Sequence, residues 1–390
     1  MLLFKRCIAL LLALCLLFLS ACTSVGTPAA AYTTPPQDLG IPGATYYTYN
    51  LVAQCVWDMA IYEDKLYVGC GNYVENTGGV PVLYCDLNDL GNWKQEALLP
   101  DEQIGRFVML DDKLTIPGWD PVDSPLYGTY YQLTDGQWQT YSGLPDGFHN
   151  FDLVRYDGKL FAAIGARRGQ VPIAVSEDGK TFERVTMLRN GEEIDTFGGE
   201  CIRSHNFWVL NDTLYAGFYY ENMVEKTWTA EVYRYEKGEF VCCADLGKSI
   251  NMNGMGTQNL GNPWADAVID DVLFFTTGRL YMTTDMVEFT EIQLPNYTFV
   301  YDIYMHDDVM YLLGASSSVA DTTTGAMQYH ITVYSAASAD PYEFKAEFTY
   351  DHAQQPTALA VNDNGCFVAF GNWHTGKGNL NGQVLYFAKE

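Results

Sequence analysis

The sequence predicts an all-β protein, and three observations carry that prediction. A hairpin of two apolar runs around an Asp- or Asn-bearing turn recurs along the chain. Long helical periodicity is absent. Tyr and Phe, residues that suit a pleated, half-buried surface, number 28 and 20. The unit is clearest in residues 151–185, where apolar runs 151–156 and 160–165 flank Asp157-Gly158-Lys159, and Pro172-Ile-Ala-Val-Ser176 and Thr181-Phe-Glu-Arg-Val185 flank a second turn. Four short antiparallel strands form one sheet, and one such sheet cannot bury both of its faces.

The hairpin recurs at residues 59–69, 107–118, 153–165, 207–217, 267–278, 303–314 and 359–371. With Leu66, Leu114, Leu160, Leu214, Leu273, Met310 and Phe367 as equivalent positions, the copies are spaced by roughly 37 to 59 residues, the range of four-stranded blades stacked radially. The pattern predicts a seven-bladed β-propeller of four-stranded antiparallel blades, with six or eight blades as the alternative counts. The last copy ends after a third strand at 383–388, and a strand-like run at 44–52 precedes the first copy. That N-terminal run is therefore expected to supply the last blade's fourth strand and close the ring.

Ahead of the repeats, Lys5 and Arg6, the apolar run 7–19 and Ser20-Ala21-Cys22 have the order of a secretion leader, and the run is too short for a permanent membrane helix. Leu19-Ser20-Ala21-Cys22 resembles the lipobox of bacterial lipoproteins. The resemblance implies cleavage before Cys22, lipid on its sulfur and extracytoplasmic display on the cell membrane, which two or more acyl chains would hold stably. Residues 23–43, rich in Ala, Thr, Pro and Gly, read as a flexible tether to a β-propeller domain at 44–390.

Charge narrows the partners. Lys and Arg total 22 against 48 Asp and Glu, a net −26 that becomes about −28 once Lys5 and Arg6 leave with the leader. Such a surface repels nucleic acid and anionic headgroups. In the folded part Cys55, Cys70, Cys85, Cys201, Cys242, Cys243 and Cys366 form an odd set with no zinc-like spacing. They read as buried thiols, although Cys70 and Cys85 fall on neighbouring strands.

Ser176-Glu-Asp178-Gly179-Lys-Thr181-Phe182 reads Ser-x-Asp-Gly-x-Thr-Phe, and here the chain resembles the Asp-box, or BNR, repeats of sialidase-like propellers. Thr284-Asp285-Met-Val-Glu-Phe289 and Thr134-Asp135-Gly136-Gln137-Trp138 are degenerate versions. The motif is structural: the carboxylate can accept the N–H groups of its turn while the aromatic ring tucks beneath. The resemblance places it on the face opposite the active site. The Arg-Ile-Pro motif and arginine triad that sialidases use for a substrate carboxylate are not matched, so that activity does not carry over.

Counting back from the repeated hydrophobic positions puts Asp58, Arg106, Asp152, Asn206, Asp266 and Asp302 at the beginnings of innermost strands, around one mouth. A cation, calcium included, or a hydroxyl-rich sugar would suit such a ring; the alternative is a set of strand-initiating turn residues. Loops on the same face carry Tyr73, Trp119, Tyr219, Tyr220, Trp228, Trp373 and His374, flat surfaces for pyranose rings, and 247–263 adds Asn and Gln amides. Blade five turns tightly at Gly278-Arg279 and leaves a notch there. His149-Asn150-Phe151 and His205-Asn206-Phe207 enter consecutive blades, which offers a histidine pair with Asp152 as a third ligand.

These residues point to a binding module for a glycan or another small polar ligand at the funnel. The alternatives are a carbohydrate-active hydrolase or lyase working through funnel carboxylates, and a protein-interaction scaffold using the rim.

Overall fold

A computed structural model describes residues 32–72, 78–122, 128–144, 147–166, 172–194, 200–222, 227–245, 265–323, 326–340, 343–371 and 381–390. Five sheets each hold four antiparallel strands. They are Asp58–Tyr62, Lys65–Gly69, Val80–Asp86 and Lys94–Leu99; Val108–Leu110, Lys113–Pro117, Thr129–Thr134 and Gln137–Ser142; and Ala265–Ile269, Val272–Thr276, Leu280–Thr283 and Thr290–Ile292. The fourth is Phe299–His306, Val309–Asp321, Ala326–Ala336 and Lys345–His352. The fifth joins Pro356–Asn362, Gly365–Phe370 and Val384–Ala388 to Gln37–Asp38.

The expectation of seven separate blades is corrected to five. Residues 147–245 form a single ten-stranded sheet instead. Its strands are too long to stay apart: Glu200–Leu210 runs 11 residues, far enough for Arg203 to pair with Gly165 at the edge of Lys159–Ala166. Met187–Arg189 then adds to Glu239–Asp245 in parallel. No helix among the described residues is long and apolar enough to cross a membrane.

The hydrophobic core is radial. One cluster joins Met59 and Leu66 to Leu114 and Ile116 on one side and to Ala358, Ala360 and Phe367 on the other, so the last sheet packs against the first. Further clusters join each neighbouring pair in turn, as Leu110 does with Leu153 and Leu160, and Trp208 with Phe275. The result is a closed β-propeller with the first strand of each unit at the axis. Hairpin tips follow the turn chemistry: Asp111-Asp112, Asn211-Asp212, Asp270-Asp271 and Asp307-Asp308 all have positive φ, as two-residue turns matched to strand twist require.

The closing strand lies earlier than expected. Gln37 pairs with Tyr386 and Asp38 with Leu385, Tyr32 bridges Lys389, and Gln383 Nε2 donates to Asp38 Oδ2 at 2.8 Å. The tether expected over 23–43 is therefore already docked at Tyr32. The run 44–52 is no strand: Pro42 starts a short 3-10 helix, Pro42–Thr45, Tyr47 is buried and Tyr49 fully exposed, so the alternation a strand needs is missing. Cys85 faces Leu66 rather than Cys70, and both remain free buried thiols, as do Cys55 and Cys366.

Candidate functional site

The six polar residues aligned by the repeat converge on the axis, but Asp152, Asn206 and Asp302 lie inside the strands Gly147–Tyr156, Glu200–Leu210 and Phe299–His306, next to register shifts, and not at the strand beginnings the sequence predicts. Asp58, Asp152 and Asp302 each do the same thing. Oδ1 accepts the N–H of the next residue, at 2.8, 2.9 and 2.8 Å. Oδ2 accepts an N–H in or beside the next inner strand: Phe107 at 2.6 Å, Phe207 at 2.8 Å and Leu359 at 2.6 Å. Each carboxylate thus staples one unit to the next.

Arg106 occupies the same position in the second blade and reaches across the axis, donating to Asp266 Oδ2 at 3.2 Å with Asp152 Oδ2 3.6 Å away. Asn206 Nδ2 donates to the same Asp266 oxygen at 3.1 Å. Burial pushes the Asp152 carboxyl up to about 6 against the pull of Arg106, and burial likewise raises Asp58. Asp302 rises further, through burial and then the neighbouring Asp58 charge. The ring holds its own cation, and most of the oxygens that would ligate a metal already serve main-chain donors. Beyond it, the Ile61 N–H reaches Tyr304 Oη at 3.4 Å, past the inner strand that lies between them in the ring.

A second cluster forms on the same face, outward from the axis, where the first, second and ten-stranded sheets meet. The main-chain N–H of Asp120 donates to Asp101 Oδ1 at 2.6 Å, the Glu102 N–H to the Asp120 carbonyl at 2.7 Å, and Tyr131 Oη to Asp101 Oδ2 at 3.3 Å. His149 Nδ1 is 2.6 Å from the Trp119 carbonyl, so it carries the proton and leaves Nε2 an acceptor. Asp120 Oδ1 is 3.6 Å from the same nitrogen. Phe151 stacks on His149 and on His205, at centroid distances of 5.3 and 4.1 Å, with the Arg203 guanidinium 5.9 Å from its centroid.

Trp119 meets Phe151 edge-on at 5.7 Å and lies over Gly105, where a Cβ would fall 1.1 Å from a ring carbon. Only a glycine admits the indole there. Burial lifts Asp101 to about 8, opposed by the Asp120 N–H; burial and then the Asp120 charge lift Glu102 to about 7; burial lifts Asp120 to about 6, opposed by Arg203. Burial and Arg203 hold His149 down at about 3, and the same two causes hold His205 well below its ordinary value. Three carboxyl groups that titrate near neutrality and two neutral imidazoles thus share one patch with an indole and a guanidinium.

The histidines are not a metal pair. Asp152 turns to the axis, where its Oδ2 accepts the Phe207 N–H, and His149, His205 and Asp152 do not form a metal-capable group among the described residues. Trp119 lies in this patch, against Phe151 and over Gly105. Tyr73, Trp373, His374 and the amide-rich run 247–263 lie outside the described residues, as do the side chains of Tyr219, Tyr220 and Trp228. Asp101, Glu102, Asp120 and Arg203 are additions. Pro100-Asp101 and Asp120-Pro121 are turn signals on this face, and Arg203 lies two residues before His205 on the same strand.

The opposite face holds the structural turns. Asp178 Oδ1 accepts from the N–H groups of Lys180 and Thr181 at 2.8 and 2.7 Å and from Ser176 Oγ at 3.0 Å, Gly179 has φ +71°, and Phe182 is buried beneath. Thr283 and Asp285 repeat the arrangement toward Val287 and Glu288, both at 2.9 Å. Thr134–Trp138 does not: Asp135 and Gly136 simply make a two-residue turn. On this face too, His306, Asp307 and Asp363 bring ligand atoms within 4.8 Å of one another, an exposed group able to hold a metal ion.

No family model and no curated protein sequence matches the chain. Among solved structures it is similar to the polysaccharide lyase Uly1, at 10% identity and a TM-score of 0.48 over 92% of this chain and 98% of that one. It is also similar to BamB from Moraxella catarrhalis, at 13% identity and a TM-score of 0.39 over 85% of each chain, and to Sqt1 from Saccharomyces cerevisiae, at 8% identity and 0.42 over 93% of this chain and 99% of that one. At these values no chemistry transfers.

Proposed function

We propose that the protein is an extracytoplasmic module, tethered to the bacterial membrane through a lipidated Cys22, that binds a glycan or another small polar ligand on the strand-entry face. The patch of Glu102, Trp119, Asp120, His149 and Arg203 is the contact surface. The observation that carries this reading is the set of carboxyl groups lifted toward neutrality around a half-buried indole. Carboxyls poised there donate as well as accept hydrogen bonds, as hydroxyl-rich ligands need, and the indole supplies a flat apolar surface. The axial ring beneath acts as the hub that positions these loops.

Titration calorimetry of the protein against a panel of neutral and acidic oligosaccharides tests the reading. At least one should bind, and Trp119→Ala should weaken it by at least about tenfold, the loss typical of an aromatic anchor. A panel ligand bound with equal affinity by Trp119→Ala would remove the patch from consideration; release of reducing ends would shift the reading to a carbohydrate-active enzyme. Cys22→Ser should move the protein from the membrane to the soluble fraction, and retention on the membrane would refute the lipid anchor.

A further inference from the structure

The sheet that spans residues 299–352 outgrows its neighbours. Val309–Asp321 and Ala326–Ala336 continue past Ala315, where their inner neighbour stops at Phe299, and Lys345–His352 follows them part of the way. In register, Ser316 faces His330, His330 faces Asp351 and Ser318 faces Gln328, so all five side chains share one side of the extension. Across it Ser318 Oγ lies 3.1 Å from His330 Nε2, and His330 Nδ1 lies 2.7 Å from Asp351 Oδ1.

We propose that Ser318, His330 and Asp351 form a solvent-facing Ser–His–Asp triad that hydrolyses small carboxylic esters. Each ring nitrogen has the partner its role requires. The Asp351 carboxylate holds the proton on Nδ1 and fixes the ring, which leaves the Nε2 lone pair for the Ser318 hydroxyl proton. The three residues stand 12 and 21 positions apart in sequence, so strand register and not a local motif assembles them. His330 and Asp351 keep 48% and 62% of their side chains exposed, so an ester reaches the serine without a channel. An open sheet face selects for compact acyl groups and good leaving groups, not for shape.

The chemistry balances within these residues, ester and water. Ser318 Oγ bonds to the carbonyl carbon as its proton passes to His330 Nε2. The tetrahedral intermediate collapses, the carbon–oxygen bond to the alcohol breaks, and the leaving oxygen takes the proton from Nε2. Water then attacks the acyl-serine, gives a proton to His330, and collapse returns that proton to Ser318 as the carboxylic acid departs. Donors for the developing oxyanion are at hand: the Gln328 amide in the same row, and alternate main-chain N–H groups of residues 316–319 along the edge that no strand of the sheet flanks.

The test uses the full-length protein in detergent, with p-nitrophenyl acetate turnover and labelling by a fluorophosphonate probe mapped by peptide mass spectrometry. The label should sit on Ser318 and vanish in Ser318→Ala and His330→Ala. Turnover should fall in both by at least about 10²-fold, the lower range for losing a general base. Asp351 is a positioning residue, so Asp351→Asn should lower kcat and alter the pH profile while leaving KM unchanged. Circular-dichroism melting controls for folding, and all three substitutions, on exposed side chains, should leave it unchanged. Turnover by Ser318→Ala equal to the parent, a label on another residue, or equal labelling of Ser318 in His330→Ala would each overturn the assignment.

Discussion

The axial hub and the strand-entry patch are built from adjacent residues of the same strands, Asp152 beside Phe151 and Asn206 beside His205, yet they distribute their polar groups in opposite ways. In the hub, Asp58, Asp152 and Asp302 spend both oxygens on main-chain donors, and Arg106 answers the remaining charge. In the patch, Glu102 and Asp120 are lifted toward neutrality with few donors to oppose burial. A hub satisfied from within holds sheets together, whereas a patch left partly unsatisfied is ready to exchange hydrogen bonds with something arriving from solvent.

The largest effect that would sharpen this contrast is expected in the hub. Arg106→Met leaves Asp152 and Asp266 facing each other without their cation, and should lower unfolding free energy by about 3–5 kcal/mol, the cost of breaking a buried pair from one side. The deficit should shrink as pH falls through about 6 and the Asp152 carboxyl protonates. Urea denaturation at two pH values measures it. A loss below about 1 kcal/mol would mean that the ring is hydrated and not a hub.

Much of the hub was legible because the apolar repeat defines the register. The residue before Met59, Phe107, Leu153, Phe207, Ala267 and Ile303 is the one that meets the axis, whatever its chemistry, and Arg106 and Asp266 follow that rule as well as the staples do. The role within the ring was not legible, since a staple depends on which N–H lies opposite, a fact of three dimensions. The blade count failed where strands outrun the repeat, as Glu200–Leu210 does. The closing strand escaped notice because Gln37–Asp38 is two residues long and follows Pro35-Pro36, a poor strand signal. Asp101 and Asp120 lie in loops 19 residues apart, brought together only by packing.

A smaller effect should separate the patch from the hub by pH. Asp101 titrates near 8 in the fold against about 4 in the unfolded chain, so between those values the native state holds a proton that the unfolded state has released. Stability must then fall as pH rises, by up to about 1.4 kcal/mol per unit for this one proton. Asp101→Asn keeps an acceptor for the Asp120 N–H without a charge to bury, so it should flatten the slope between pH 6 and 8 and stabilise the protein at pH 8. An unchanged slope in denaturant midpoints would place the titration elsewhere, with the hub carboxyls the next to test.

The smallest effect on stability, and the most selective for the patch, comes from one methyl group. Gly105 has no Cβ because the Trp119 ring occupies that space, and Gly105→Ala must displace the indole. Moving a half-buried ring at the surface should cost about 1 kcal/mol, the low end of overpacking. Because the ring also leans edge-on against Phe151, its displacement disturbs the contact surface while Arg106, the next residue, keeps its partners on the axis. Gly105→Ala should therefore reduce affinity for whichever saccharide binds by roughly tenfold, matching Trp119→Ala, with a melting temperature within a few degrees of the parent. A variant that melts far lower but binds normally would reverse the two roles, making the indole part of the scaffold and the axis the place to seek a ligand.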